Sequence, residues 1–365
     1  MNVPAPGQTT SEPAGAVAPP ATGKSKRARI VLDALGGDAP LGERVAGAIN
    51  AARLYPDIEI LVCGAEDDLK REIAALGGGP DNITLIHAPE PIGMQEAPVQ
   101  ALRSKKKSSI AVGMEMVAHG EAQAFVSAGN TGAVTAGAAL KLGRLRGVQR
   151  PGIAVAMRVF DHPVVAIDVG ANADSKSMHL LQYGIMASVF AREVVGVENP
   201  RVGLLNVGEE TSKGTEVVKQ AYELLSSADL NFIGNVEPEG LCHHACDIVV
   251  CDGFVGNVVL KLAESLTMTL IGWMREEVQR SFRYKVGFLL CKSLFRHLKH
   301  CADYTEYGGA PLLGIKGVTI KTHGTSDARA IQNAIREARM FVEMHVNEQI
   351  EEAVQKDAAA RGLRA

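Results

Sequence analysis

The chain has 365 residues, and its 38 Lys and Arg residues nearly balance 41 Asp and Glu residues, for a formal net charge of -3. With 46% hydrophobic residues the composition excludes a collagen-like or wholly disordered chain, and no run of about 18 uncharged apolar residues indicates a membrane span. The charge balance gives no general attraction to nucleic acid, so any basic site must be local. Six Cys residues without a secretory signal fit reduced thiols in the cytoplasm.

The first 28 residues are rich in Pro, Ala, Gly, Ser and Thr and end in a basic cluster. Such a segment buries too little apolar surface to offset its ordering entropy, so residues 1–28 are predicted to form a disordered leader. A solvated tail is the preferred interpretation of the basic cluster, and a contact with nucleic acid or lipid is the alternative. The cluster consists of Lys24, Lys26, Arg27 and Arg29.

After the leader, short apolar runs alternate with helical stretches, a pattern typical of a mostly parallel sheet covered by helices on both faces. We expect one α/β/α domain over 29–350 and a tail over 351–365. Most of the runs are continuously apolar, as in strands buried on both faces. The predicted strands are 28–33, 58–63, 83–87, 124–127, 152–157, 164–168, 201–205, 232–234, 248–251 and 318–322, and the predicted helices include 42–54, 110–119, 178–195, 215–226 and 328–349.

One region, residues 257–301, departs from this alternation. Apolar residues recur there every four positions up to Arg280, and a second amphipathic stretch with several Lys and Arg residues follows Ser281. This spacing predicts two helices that form a protruding amphipathic hairpin.

Six of the predicted strands are followed by loops rich in Gly, Asn, Ser, Thr and carboxylates. Ligands of open α/β sheets bind at the carboxyl ends of the strands, so the six loops are expected to converge on one crevice. The loops comprise residues 33–38, 127–132, 168–172, 206–214, 252–257 and 322–327.

The loop 127–132 is the leading candidate for a phosphate site. Its glycines let backbone N–H groups approach an anion, and the helix that follows adds a partial positive charge. Ser127, Asn130 and Thr131 are the candidate ligands. Asn130 or Thr131 can equally serve as an ordinary helix N-cap.

The loop 322–327 is the second candidate for anion binding. Thr325 and Ser326 supply hydroxyl groups there, and either one can also cap the helix that begins near Asp327. His323 is interpreted either as a site residue or as a structural histidine.

Several common site motifs are missing from the sequence. It contains no Walker A motif, no GxGxxG after the first strand and no GxSxG, which counts against nucleotide binding and against a serine hydrolase. Cys242, His243, His244, Cys246 and Cys251 resemble part of a zinc site, but no second CxxC pair completes a tetrahedral set. No metal and no cofactor are therefore predicted.

An ordered series of motifs resembles the bacterial phosphate acyltransferases of membrane phospholipid synthesis. The similarity extends from about Arg29 to about Ala338 and so covers nearly all of the predicted domain. An ordered set is far more specific than any single Gly-rich loop. The motifs are LDALGGD, SAGNTGA, RPGIAV, IDVGAN, ENPRVGLLNVGEE, NFIGNVE, CDGFVGN, GGAPLLGIKG and KTHGTSDARAI.

The resemblance implies reversible transfer of a long-chain fatty acyl group from acyl carrier protein to inorganic phosphate, which gives an acyl phosphate for a downstream glycerol-3-phosphate acyltransferase. It implies a Rossmann-like α/β/α fold akin to phosphotransacetylase and isocitrate dehydrogenase, and a homodimer. It also implies a cytoplasmic enzyme that associates peripherally with the inner face of the cell membrane.

In such a reaction phosphate itself attacks the thioester, so no protein nucleophile is needed. Lys176 and Lys213 are predicted to stabilise phosphate or the oxyanion, although each can equally be a solvated lysine. His323 is the candidate acid for the departing thiol. The predicted orienting groups are Asp33, Asp38, Asp168, Glu209, Asp252, Asn172 and Asn257, and the first loop contributes Gly36 and Gly37.

The basic face of the hairpin is predicted to steer the acidic carrier protein and to contact anionic lipid. In the alternative interpretation, the apolar side of the hairpin forms the core of a dimer and its charged side is only solvated. A dimer contact on the apolar side is compatible with both contacts on the charged side. The candidate contact residues are Arg275, Arg280, Arg283, Lys285, Lys292, Arg296 and Lys299.

Three other functions explain parts of the sequence. A short-chain phosphotransacetylase acting on coenzyme A thioesters would share the fold and the phosphate site but leaves the hairpin unexplained. A dehydrogenase of the isocitrate type would need an array of carboxylates with metal spacing, which does not stand out. A membrane scaffold without catalysis leaves the polar loops unexplained.

Overall fold

The fold was analysed in a computed structural model, which describes residues 27–159, 162–293 and 308–363. The leader up to residue 26, together with Arg296 and Lys299 of the hairpin, lies outside the described residues. Eleven strands are present in the described part of the chain. They are β1 (Ala28–Asp33), β2 (Ile58–Gly64), β3 (Ile83–His87), β4 (Ala124–Ser127), β5 (Gly152–Val159), β6 (His162–Ile167), β7 (Val202–Leu205), β8 (Phe232–Val236), β9 (Ile248–Val250), β10 (Ala310–Leu313) and β11 (Val318–Lys321).

The strands form one sheet in the order β3-β2-β1-β4-β11-β10-β5-β6-β9-β7-β8. The first five of these are parallel to one another, and the last four form a second parallel set. Between the sets, β10 is antiparallel to both β11 and β5, and β5 is antiparallel to β6. The two parallel sets therefore run in opposite directions, and the register brings their carboxyl ends to nearly the same level of the sheet, because Lys321 pairs with Ala310, Leu312 with Ile153 and Ala154 with Ile167.

Helices complete the predicted α/β architecture, and the hydrophobic residues form two buried clusters. Ile30 and Leu32 of β1 belong to one cluster and Val31 to the other, because successive side chains of a strand point to opposite faces. The helices are α1 (Leu41–Leu54), α2 (Glu66–Ala75), α3 (Pro98–Ser104), α4 (Ser109–Ala118), α5 (Thr131–Gly137), α6 (Ser177–Phe190), α7 (Glu216–Ser226), α8 (Pro238–Cys242), α9 (Gly253–Arg280), α10 (Phe282–Leu290), α11 (Ala328–Glu343) and α12 (Val346–Ala360).

The predicted strands are confirmed with ends that shift by at most two residues, but β10 was not predicted. This strand has only four residues and contains Pro311, a residue that usually marks an edge or an end of a strand. Its partners, β5 and β11, determine its place in the sheet. A single strand that short carries too little periodicity to be recognised from sequence.

The predicted helix 328–349 is in fact two helices, α11 and α12. The chain turns at His345, which has a left-handed φ of 52°. This turn lets Ile350 and Val354 of α12 become fully buried in the same hydrophobic cluster as α6. The proposed boundary between domain and tail, at residue 350, therefore falls inside a packed helix.

The predicted break of the hairpin at Ser281 is confirmed, because α9 ends at Arg280 and α10 begins at Phe282. The first helix begins at Gly253, four residues before the predicted start. The reason is Asp252, whose carboxylate caps the helix by accepting from the N–H groups of Phe254 at 3.0 Å and Val255 at 2.9 Å.

A buried carboxyl group, Glu337 of α11, holds the start of β10. Its Oε2 accepts from the N–H of Gly309 at 2.8 Å, and the side chain is 2% exposed. Burial raises the pKa of Glu337 from 4.5 to about 8, while the hydrogen bond and Arg336 oppose the rise. At pH values between 4.5 and about 8, Glu337 is therefore protonated in the folded state and ionised in the unfolded state.

The free energy of unfolding should therefore decrease as the pH rises from about 5 to about 8. The variant Glu337→Gln keeps the acceptor for Gly309 without the ionisation, so its unfolding temperature should be nearly flat over this range and at least about 2 °C above wild type at the upper end. Thermal unfolding followed by circular dichroism measures the difference. Glu352→Gln, on the exposed side of α12, is the matched control. Equal pH slopes in all three proteins would contradict this role for Glu337.

Candidate functional site

The polar loops form two groups, one at the carboxyl ends of each parallel set of strands. The two sets of carboxyl ends lie at nearly the same level of the sheet, with β10 and β5 between them, so the expectation that all six loops meet in one crevice stays a prediction. The first group follows β1, β4 and β11, and the second follows β6, β7 and β9. The first contains the loops 33–38, 127–132 and 322–327, and the second contains 168–172, 206–214 and 252–257.

A row of side chains at the ends of three neighbouring strands organises the first group. Asp33 is in register with Ser127, and Ser127 is in register with Lys321. The buried Ser127 hydroxyl donates to Asp33 Oδ2 at 2.6 Å and accepts from the N–H of Gly129 at 2.9 Å. The only proton of this hydroxyl is thus used inside the protein.

Glycine lets the three loops of the first group touch. A Cβ atom at Gly36 would lie 2.3 Å from Asp33 Oδ2 and 2.6 Å from the nitrogen of Gly129. The N–H of Gly36 donates to Asp33 Oδ1 at 3.0 Å. Gly37 has a φ of +95°, and its Cβ would lie 2.7 Å from the carbonyl oxygen of Gly324. A side chain at either position would therefore push the loops apart.

A buried arginine that sequence reasoning missed, Arg44 of α1, supports the first loop. Its Nε donates to the carbonyl of Ala34 at 2.6 Å and its Nη1 to that of Ala39 at 2.7 Å. The N–H of Asp38 in turn donates to the carbonyl of Gly324 at 2.7 Å and joins this loop to the loop after β11. Burial lowers the pKa of Arg44, and the neighbouring carboxylates oppose that shift.

Asn130 has two structural contacts in the loop 127–132. Its Oδ1 caps α5 by accepting from the N–H of Ala133 at 3.0 Å. Its Nδ2 lies 2.9 to 3.2 Å from three backbone carbonyls of the segment 93–96. The capping interpretation is therefore confirmed for Asn130. Thr131 is exposed and does not cap this helix.

The loop after β11 exposes His323 beside the hairpin. Its Nδ1 lies 2.8 Å from Thr325 Oγ1, while Ser326 is buried and donates its N–H to the His323 carbonyl at 3.0 Å. Burial lowers the pKa of His323, Lys261 of α9 lowers it further, and Glu264 opposes both effects. Lys261 and Glu264 form an ion pair at 2.8 Å, so α9 contributes charges to this group that the sequence analysis did not identify.

Asp168 organises the second group from the end of β6. Its Oδ1 accepts from the N–H groups of Ile153 at 3.0 Å, Gly170 at 3.0 Å and Ala171 at 2.9 Å, and its Oδ2 accepts from that of Asn172 at 2.8 Å. Burial raises the pKa of Asp168, and these donors oppose the rise. The carboxylate is thus surrounded by protein donors.

The start of α9 belongs to this second group. The N–H of Gly253 donates to the carbonyl of Asn172 at 2.9 Å, and the Asn172 side chain donates to Tyr183 Oη at 2.9 Å. Asn257 of the same helix lies next to Gly170, since a Cβ there would be 3.5 Å from Asn257 Oδ1. Asp252 provides the helix cap described above. These residues fix the base of the hairpin.

The other predicted catalytic residues of the second group are exposed. Lys176 precedes α6 and is exposed, and Lys213 lies 3.8 Å from Glu210 in a surface ion pair. Glu209 is exposed as well. The structure therefore places His323 in the first group and the remaining predicted catalytic residues in the second.

The segment with Cys242, His243, His244, Cys246 and Cys251 does not form a metal site in the described residues. In the described ranges, no group of three or more His, Cys, Asp or Glu side chains is arranged to hold a metal ion. Cys246 and Cys251 are buried, and burial raises the pKa of each thiol. His244 instead stacks on His162 with ring centroids 3.6 Å apart.

Comparison with known proteins defines the family. The family model described as "Fatty acid synthesis protein" matches residues 28–349. The phosphate acyltransferase of Caldanaerobacter subterraneus subsp. tengcongensis is 44% identical over 327 residues, which cover 88% of this chain and 97% of that protein. The phosphate acyltransferase of Pelotomaculum thermopropionicum is 45% identical over 327 residues, covering 90% and 95%.

Solved structures show the same architecture at low sequence identity. A phosphotransacetylase from Streptococcus pyogenes superposes with a TM-score of 0.59 at 19% identity, covering 87% of this chain and 95% of that chain. The EutD phosphotransacetylase from Staphylococcus aureus gives 0.55 at 17% identity, covering 90% and 94%. The fold is thus similar to that of phosphotransacetylases, and on the sequence matches the chain belongs to the phosphate acyltransferase family of acyltransferase enzymes.

Proposed function

We propose that this enzyme transfers a long-chain fatty acyl group reversibly from acyl carrier protein to inorganic phosphate, producing an acyl phosphate for phospholipid synthesis. Family membership supports acyl transfer to phosphate. The structural observation that carries the proposal is the first loop group, where three loops touch around the Asp33–Ser127 hydrogen bond beside His323. Backbone N–H groups in such loops are suited to hold an anion.

The proposed reaction is attack of a phosphate oxygen on the thioester carbonyl carbon. An O–C bond forms, the C–S bond breaks, and the proton of hydrogen phosphate ends on the departing sulfur. His323 would carry this proton. Because its pKa is lowered, the imidazole is neutral near pH 7 and can accept the proton before it passes it on.

The hydrogen bonds of the first group refine the proposed phosphate contacts. Ser127 donates its proton to Asp33, and the Asn130 amide protons face backbone carbonyls, so both position the loop. The Thr131 hydroxyl and the loop N–H groups are then the proposed anion contacts. The aligned N–H groups at the start of α5 favour negative charge there.

The second group has a different proposed role. Asp168, Asn172 and Asp252 hold the base of α9 and so position the hairpin relative to the sheet. Lys176 and Lys213, which belong to this second group, remain candidate cations for the substrate.

The exposed hairpin supports a large, acidic and lipid-linked substrate. Of the 28 residues of α9 only Gly253 and Gly256 are buried. An open groove of about 410 Å³ between α9 and α10 is lined by Trp273, Val278 and Phe288, among others, and is a proposed route for an acyl chain. The described cations for the carrier protein are Arg275, Arg280, Arg283, Lys285 and Lys292.

The same apolar surface is the proposed contact with the inner face of the cell membrane or with a second copy of the chain. By length and composition alone, α9 is apolar enough to cross a membrane, a criterion that many core helices of soluble proteins also meet. Its base, however, is tied to the sheet through Asp252 and Asn172. We therefore propose that the helix lies on the membrane surface of a cytoplasmic enzyme.

A short-chain phosphotransacetylase acting on coenzyme A thioesters is the second candidate, because the similar solved structures are phosphotransacetylases. The exposed apolar hairpin favours the long-chain substrate. A short acyl group has no need of such a surface.

Purified enzyme mixed with a long-chain thioester of acyl carrier protein should form an acyl phosphate, which hydroxylamine traps as a hydroxamate. Formation should require inorganic phosphate, since phosphate is the nucleophile. Acetyl coenzyme A in place of the carrier thioester tests the second candidate and should give little product. Consumption of the thioester without phosphate, or no consumption at all, would rule out the proposed function.

Trp273, the one Trp of the sequence, reports on the hairpin because it is 57% exposed. Its fluorescence emission should shift to shorter wavelength with vesicles containing anionic phospholipid. The double variant Arg283→Glu/Lys285→Glu should weaken this shift and raise KM for the carrier thioester about tenfold or more, because attraction becomes repulsion. Arg53→Glu/Lys106→Glu changes the charge equally on exposed residues of the body and should change neither. Identical behaviour of the two double variants would contradict both contacts.

A further inference from the structure

Lys321 is the third member of the row at the ends of the parallel strands; it begins the motif KTHGTSDARAI but was not among the sequence-based candidates for the site. It ends β11 in register with Ser127, so its side chain lies on the same face as those of Ser127 and Asp33. This position places an ammonium group among the three touching loops of the first group.

Among the described residues, the contacts of Lys321 leave its charge without a paired carboxylate. Its Nζ donates to the carbonyl of Thr322 and lies 3.4 Å from the carbonyl of Ala128. In the described part of the chain no carboxylate oxygen lies within 4.0 Å of this ammonium. The nearby Asp33 already accepts hydrogen bonds from Ser127 and from its own loop. An ammonium has three protons, so one remains for a ligand.

A second cation faces the same place from α9. The pKa of Lys321 is lowered to about 8, chiefly by burial; Lys261 contributes to the lowering, while Asp33 and Asp38 oppose it. A partly buried ammonium next to another cation is stabilised when an anion binds. The site therefore favours a small anion with more than one negative charge.

We propose that Lys321 is a catalytic residue that binds the phosphate during acyl transfer, with Lys261 supplying a second positive charge from α9. The inference rests on the proposed function and identifies the cation for the phosphate as a residue outside the sequence-based candidates Lys176 and Lys213. The ammonium holds the attacking dianion against the thioester carbon and offsets charge that builds up on the tetrahedral intermediate.

Inorganic phosphate alone tests the binding step without any thioester. Phosphate should raise the unfolding temperature of the wild-type enzyme by about 2 °C or more when its concentration is far above Kd. Lys321→Met, which keeps an unbranched side chain only one atom shorter and removes its charge, should lose this rise. Lys316→Met is the matched control, because this exposed lysine lies in the same β10–β11 hairpin, and it should respond as wild type. A near-native circular dichroism spectrum confirms that Lys321→Met is folded.

Steady-state kinetics then separate a catalytic from a structural role. Lys321→Met should raise KM for phosphate about tenfold to a hundredfold, as expected for loss of a charge-assisted hydrogen bond, while KM for the carrier thioester stays within twofold. Wild-type kcat/KM for phosphate should fall as the pH rises through about 8, where Lys321 loses its proton. Lys321→Arg should retain part of the binding and shift that fall to higher pH, because guanidinium stays charged.

The two proposals fail in different ways. If no acyl phosphate forms but Lys321→Met still abolishes stabilisation by phosphate, the anion site stands and the acyl-transfer assignment falls. If acyl phosphate forms and Lys321→Met keeps both the phosphate-induced stabilisation and the wild-type KM for phosphate, Lys321 is not the phosphate cation.

Discussion

The reversal of strand direction in the middle of the sheet determines how the chemistry is distributed in this protein. Because β10 and β5 join two parallel sets at this register, the carboxyl ends of β1, β4 and β11 lie at nearly the same level of the sheet as those of β6, β7 and β9. The rule that ligands bind at carboxyl ends then gives two groups of polar loops, one on each side of β10 and β5. Loops touch in both groups, and the first also contains the buried Asp33–Ser127 pair and an adjacent exposed histidine.

The two regions share one local arrangement, which explains why each loop turns directly after its strand. Asp33, Asp168 and Asp252 each follow or end a strand and accept from N–H groups two and three residues later in the chain. Such Asx-type contacts satisfy amides that a strand end would otherwise leave unpaired. These carboxylates are thus mainly structural, and the polar groups that remain for a substrate are lysines and His323.

Local features of the sequence could be predicted, whereas features that depend on distant pairing could not. The strand β1 and the break at Ser281 follow from runs of apolar residues, and both are confirmed. The reversal depends on β10, a four-residue strand whose partners lie elsewhere in the chain. Lys321 was overlooked for the same reason, since its contact with Ala128 spans 193 residues. Both cases need the register of the sheet, which local periodicity does not contain.

The helix α9 connects the two regions physically. It begins at Gly253 in the second group, and a rise of about 1.5 Å per residue carries Lys261 roughly 12 Å along the axis to the first group. Beyond this point the helix is exposed and carries Trp273. The proposed docking surface and the proposed anion site therefore share one continuous helix, whose base is fixed to the sheet through Asp252 and Asn172.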